Sequence, residues 1–366
     1  MKILYGIQGT GNGHITRARV MARAFSQHPD VHVDYLFTGR NADKYFDMEE
    51  FGDYQTRQGL TFIHRNGAIN KWLTLKNAKP MQFWRDVKQL DLSGYDLVLN
   101  DFEPVSAWAA KRQNIASISI SHQAAFMHSV PKRGQKLLDE FIMKYFAPTS
   151  VQLGVHWYHF GHNIMPPFID DEFSASQQGQ HFLVYLPFED IDEIRALLES
   201  LTEYTFEIYH PEITNSTQES HLHWHPTSKR AFHHSLHHCA GVIANGGFEL
   251  SSECLQLGKK LLIKPLHGQF EQLSNALTLE TLELCHTMNT LDVDEVENWL
   301  LIPQGEAVKF PNDPKILIDW IKSKQWNDTE TVCEALWKQV EFPEKVRRKL
   351  AKLSKVPHHA NIINRV

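Results

Sequence analysis

Two glycine-rich turns, one in each half of the chain, constrain the fold more than any other feature. "KILYGI" (2–7) runs into Gly9, Gly11 and Gly13 just before an amphipathic helical pattern at 14–28, and "GVIAN" (241–245) runs into Gly246 and Gly247 before another at 248–258. A strand that turns through glycine into a helix is the repeating unit of a parallel sheet, and it leaves the N–H groups of the helix start open to an anion. The surrounding sequence keeps this alternation. Strand-like runs at 31–39, 96–101 and 116–122 alternate with a helix at 106–113 in the first half. Runs at 181–187, 204–210 and 259–266 alternate with helices at 189–201 and 228–239 in the second. "HNIMPPFIDDEFSASQQGQ" (162–180), with two prolines and a polar stretch, reads as the linker between two similar α/β halves. The expected class is α/β, with two doubly wound parallel-sheet domains.

A chain of 366 residues suits two such domains. The net charge of −6 argues against a dedicated nucleic-acid binder, since such proteins need a positive surface. The sequence shows no apolar run long enough for a membrane span, and "MKILYGIQGTG" does not read as a signal peptide. Cys239, Cys254, Cys285 and Cys333 are scattered without a C-x-x-C pair, which fits a reduced cytoplasmic compartment and no zinc finger.

In an open parallel sheet, ligands bind beyond the carboxyl ends of the strands. His14, Asp101, Glu103 and His122 all stand at such ends in the first half, two histidines and two carboxylates on one edge. The first loop fails as a dinucleotide fingerprint because His14 occupies the third glycine position, and it fails as a hydrolase phosphate loop because no lysine follows. A histidine there can act as a general base near neutral pH. Glu103, directly before Pro104, also reads as a simple helix cap.

"GTGNGHI" and "NGGFELSSE…KPLHGQFEQLSNA" resemble the two signature loops of GT-B glycosyltransferases, in particular family 28 and its MurG-like branch. The resemblance implies two Rossmann-like domains facing across a cleft, with a C-terminal helix crossing back to the first. The implied boundaries are 1–165 for an acceptor-side domain, 166–342 for a donor domain and 343–366 for the crossing helix. It implies that Glu253 holds the ribose hydroxyls of a nucleotide and that Gly246 and Gly247 let its diphosphate reach backbone amides, with Asn245, Phe248 and Ser251 in the same donor site. Gln269, Glu271 and Gln272 would then read the donor sugar. Gly11, Asn12, Gly13, Glu103 and His122 would line the acceptor side, with His14, or failing it Asp101, as base.

The implied reaction is an inverting, metal-independent transfer from a UDP-sugar to an envelope or lipid-linked hydroxyl, with no cofactor beyond the nucleotide sugar. Glu249 and Leu250 depart from the family pattern, which has a small residue and a threonine there. A UDP-N-acetylglucosamine 2-epimerase and a silent nucleotide-sugar binder are the competing readings. Seven histidines within 221–238 include the i,i+4 pairs His233/His237 and His234/His238, but the bland reading is a surface helix. The stretch 130–148, with Leu137, Phe141, Ile142 and Phe146, and the basic tail from 343 are the candidates for peripheral membrane contact.

Overall fold

The computed structural model of the chain describes residues 1–45, 47–60, 64–65, 68–69, 79–169 and 179–353. The first half forms β1 (Lys2–Gln8), β2 (His32–Thr38), β3 (Tyr54–Arg57), a short pair β4 (His64–Arg65) and β5 (Ala68–Ile69), β6 (Leu97–Asp101), β7 (Ser117–Ser121), β8 (Val151–Val155) and β9 (Ile164–Met165). Seven of these make one parallel sheet in the order β3-β2-β1-β6-β7-β8-β9. Strands β6 and β7 are buried along their whole length, and β1 along all but its first residue, as a sheet covered on both faces requires.

The second half repeats the plan with β10 (His181–Tyr185), β11 (Thr205–Tyr209), β12 (Thr217–Glu219), β13 (Leu222–His225), β14 (Gly241–Ala244), β15 (Lys260–Ile263) and β16 (His286–Thr287). Their order is β12-β13-β11-β10-β14-β15-β16, parallel except for β12. In each sheet the first strand sits between two later ones: β1 between β2 and β6, and β10 between β11 and β14. The order therefore reverses there, and a crevice opens at the carboxyl ends. The two glycine turns stand at these crevices.

Gly9 has a steric reason to lack a side chain. A Cβ there would lie 2.3 Å from the Tyr45 hydroxyl and 2.9 Å from the Thr38 carbonyl. The turn can then hand over directly to the helix Asn12–Ser26, which buries Ile15, Ala18, Met21, Ala22 and Phe25 against the sheet.

Two expectations about the joints between the halves change. The supposed linker begins with a strand, β9, and its polar part at 170–178 lies outside the described residues. The crossing back begins before residue 343. The helices Lys315–Ser323 and Thr329–Trp337 already pack on the first domain, with Lys322 paired to Asp30 (2.7 Å) and Trp337 Nε1 donating to the Ile164 carbonyl (2.6 Å). The last described helix, Glu344–Leu353, turns its apolar residues Val346 and Leu350 inward. Its Lys345 and Lys349 pair with Glu283 of the second half. Opposite charges along that basic face are thus partly met within the chain.

Candidate active site

A cavity of about 1590 Å³ separates the two glycine turns. Gly11, Asn12, Gly13 and His14 wall it from the first domain, and Gly247, Phe248, Glu253, Gln269 and Glu271 from the second. Both helices that open onto it, Asn12–Ser26 and Phe248–Gln256, have a glycine at the N-cap and no side chain capping their first amides. Two helix starts with unspent N–H groups and positive dipole ends therefore meet across one space.

Strand order explains how His14 and Asp101 come together. β1 and β6 are hydrogen-bonded neighbours, so the residue after one and the last residue of the other share an edge. His14 Nδ1 lies 2.7 Å from Asp101 Oδ1. Asp101 is 0% exposed, so it stands behind the histidine rather than on the cavity wall. Burial alone would raise its carboxyl, but the Arg17 guanidinium and His14 outweigh burial and hold it below the ordinary aspartate value. An ionised Asp101 accepts the Nδ1 proton and leaves Nε2 as the ring nitrogen for a substrate hydroxyl.

Arg17 is the functional residue that sequence reasoning missed. It follows His14 by three positions on one helix face, a spacing that would have flagged it. Its Nε and Nη2 donate to the two Asp101 oxygens at 2.8 and 3.1 Å, and its Nη1 donates to Glu249 of the second domain. Glu249, which departs from the family pattern, thus spends its carboxylate on Arg17 of the first domain while lining the same cavity.

Several expected positions fall elsewhere. Glu103 is fully buried and caps the helix Pro104–Gln113: its carboxylate accepts from Val105 N (2.7 Å), Ser106 N (2.6 Å) and Thr38 Oγ1 (3.0 Å). The cap reading is the correct one, and Glu103 is not part of the cleft. Gly246 serves packing, since a Cβ there would meet the Gln272 backbone oxygen at 2.8 Å. Its amide donates to Gln272 Oε1 (3.1 Å), which also accepts from Leu266 N (3.0 Å). Gln272 is thus a clasp between two loops rather than a reader of sugar. Asn245 bonds Glu189 and the Lys264 carbonyl, and Ser251 bonds the Gly247 carbonyl, so both support the loop from behind. The free amides at this end are those of Phe248, Glu249 and Leu250.

His122 reaches the cavity wall but works as a joint. Its Nδ1 lies 2.9 Å from the Val155 carbonyl, its Nε2 lies 2.7 Å from Asn275 Oδ1 of the second domain, and its ring stacks on Phe248 at 3.9 Å. Gln269 caps the helix Phe270–Thr281 through the Gln272 amide, and Glu271 accepts from Gln123 (3.2 Å). Thr227, Ser228, Lys229 and Arg230, unnoticed in the sequence, add a basic helix start to the cavity wall.

The histidine-rich segment does not converge on one point. His223 and His225 bond Glu207, His221 bonds the Leu198 carbonyl, and His238 bonds the His234 carbonyl. Among the described residues no group of three His, Cys, Asp or Glu could hold a metal ion, and no helix is long and apolar enough to cross a membrane.

Two parallel-sheet domains joined across such a cleft define the GT-B class of glycosyltransferases, and solved structures agree. SnogD from Streptomyces nogalater is 11% identical, with 97% of this chain and 99% of that one covered at a TM-score of 0.51. MurG from Acinetobacter baumannii is 12% identical, with 88% and 99% covered at 0.52. VinC, solved with dTDP, is 11% identical, with 97% and 98% covered at 0.52. No curated protein matches the sequence. A family model described as glycosyl transferase family 1 matches residues 1–302, and the chain belongs to that family.

Proposed function

We propose that this glycosyltransferase moves a sugar from a UDP-linked donor to a hydroxyl of an envelope or lipid-linked acceptor, with inversion and without a metal ion or cofactor. The observation that carries the reading is the buried Asp101–His14 pair facing, across one cavity, the uncapped helix start beside Glu253. His14 Nε2 takes the acceptor proton as its oxygen attacks the anomeric carbon, and Asp101 stabilises the imidazolium that forms. The bond to the diphosphate breaks on the opposite face. The leaving charge falls on the amides of residues 248–250 and the dipole behind them, which does the work a metal does in other transferases. Glu253, which lines the same cavity, is the carboxylate we assign to the ribose diol.

The acceptor side favours a lipid-linked hydroxyl. The helix Leu137–Tyr145 contributes Ile142 and Met143 to the cavity wall yet leaves Leu137 86% and Phe141 60% exposed, with Leu138 and Tyr145 beside them. An apolar face that continues into the cavity suits a substrate held at a membrane surface. We place the chain in the MurG-like branch on the "GTGNGHI" and "GGFELSSE" motifs, and in the cytoplasm at the inner face of the membrane.

A thermal-shift screen over nucleotide sugars tests the donor site. A UDP-sugar should raise Tm in the wild type and fail to do so in Glu253→Ala. With that sugar, His14→Ala should bind normally and turn over about 10²–10⁴-fold more slowly. Interconversion of two sugars with the nucleotide retained would instead mark an epimerase.

A further inference from the structure

Arg17 is buried between two carboxylates that belong to different domains. From the first domain Asp101 takes two of its N–H groups, and from the second Glu249 takes a third. The contact is built in on both sides. A Cβ on Gly13 would sit 2.9 Å from Glu249 Cγ, so the turn that carries His14 leaves room for the glutamate stem. Burial raises the Glu249 carboxyl above the ordinary glutamate value, and Arg17 and then His14 oppose that rise. The Tyr5 phenol, Glu271 and the His122 ring are also coupled electrostatically to this cluster.

The charges have a consequence for His14. Arg17 alone beside Asp101 would offset the negative charge that supports a forming imidazolium. With Glu249 in place the trio carries a net negative charge, and that support returns. Resting on the reading of His14 as base, we propose that Arg17 is a positioning residue that hands the charge of Glu249 to the Asp101–His14 pair. The base in the first domain is thereby complete only where the donor-side domain touches it.

The experiment follows the histidine ring signals of the full chain, ¹³C-labelled at histidine, as pH is varied by NMR, with no ligand present. The His14 signal is the one lost in His14→Gln. Glu249→Gln keeps the volume and an acceptor for Arg17 but removes the charge, and should lower the titration midpoint. Glu249→Asp should move it back toward the wild-type value. An unchanged midpoint in Glu249→Gln overturns the proposal, and a lower Tm with an unchanged midpoint identifies a structural tie and overturns it equally. The assignment of His14 as base fails on a different observation, full turnover by His14→Ala.

Discussion

Asp101 and His14 divide the labour of one base between a residue that meets the substrate and one that never can. Asp101 is sealed behind the ring, so its contribution is to fix the tautomer and to balance the proton that the ring receives. Asp101→Asn keeps the shape but offers Arg17 a neutral partner and allows the opposite tautomer. It should lower kcat by about 10²–10⁴-fold while donor KM changes little. A rise in KM with kcat intact would instead show Asp101 acting in donor binding. Both residues were legible in the sequence because Asp101 ends an apolar strand and His14 follows the glycine turn after another. Arg17 was legible only as a neighbour of His14 on one helix face, because its carboxylate partners come from a strand and a helix that sequence alone does not bring to one point. Gln272 and Gly246 were misplaced for the opposite reason: a motif match gives the position of a residue but not the direction in which its side chain is spent.

At the scale of elements, the turn after β6 shows how a helix start can be closed on one side of a site and left open on another. Glu103 caps its helix so fully that it has nothing left for a ligand, while Gly11 and Gly247 leave their helices uncapped toward the cavity. Glu103→Ala would orphan two buried amides, while the Thr38 hydroxyl keeps Gln8 Oε1 as its acceptor. It should cost about 1–3 kcal/mol of stability, read by urea unfolding, with donor KM unchanged in the protein that remains folded. A loss of activity without a loss of stability would return Glu103 to the site. Most elements of the two sheets were readable from alternation and burial, because a strand covered on both faces is apolar throughout. Strands toward the sheet edges escaped: β8, β9, β12 and β13 are short, mixed in polarity, or set among the histidines, and their pairing is decided by neighbours far away in sequence.

At the scale of the molecule, the two domains meet through aromatic rings rather than through the ion cluster alone. His122, Phe126, His156 and Trp157 from the first domain pack around Phe248 and Phe270 from the second, and Trp157 Nε1 donates to Ser252 Oγ at 2.8 Å. Two of those rings are imidazoles. Burial, reinforced by the neighbouring His122, holds His156 well below the ordinary histidine value, and burial lowers His122 as well. His156 Nδ1 has no hydrogen-bond partner, so a proton added to that ring would find no acceptor. In the unfolded chain each ring takes up its proton near 6.5. Between that pH and the lower folded value the unfolded state binds more protons, so the stabilisation is complete above about 6.5 and is lost as pH falls. Both rings should therefore take stability away as pH falls below about 6.5, His156 the more strongly. His156→Phe fits a slot already lined by Phe126, Trp157 and Phe160, and it removes one titrating group from the joint. Its Tm should therefore fall less steeply than that of the wild type between about pH 7.5 and 5.5. Equal slopes in the two proteins would mean that the interface tolerates the charged ring, and that the joint between the domains is indifferent to acid.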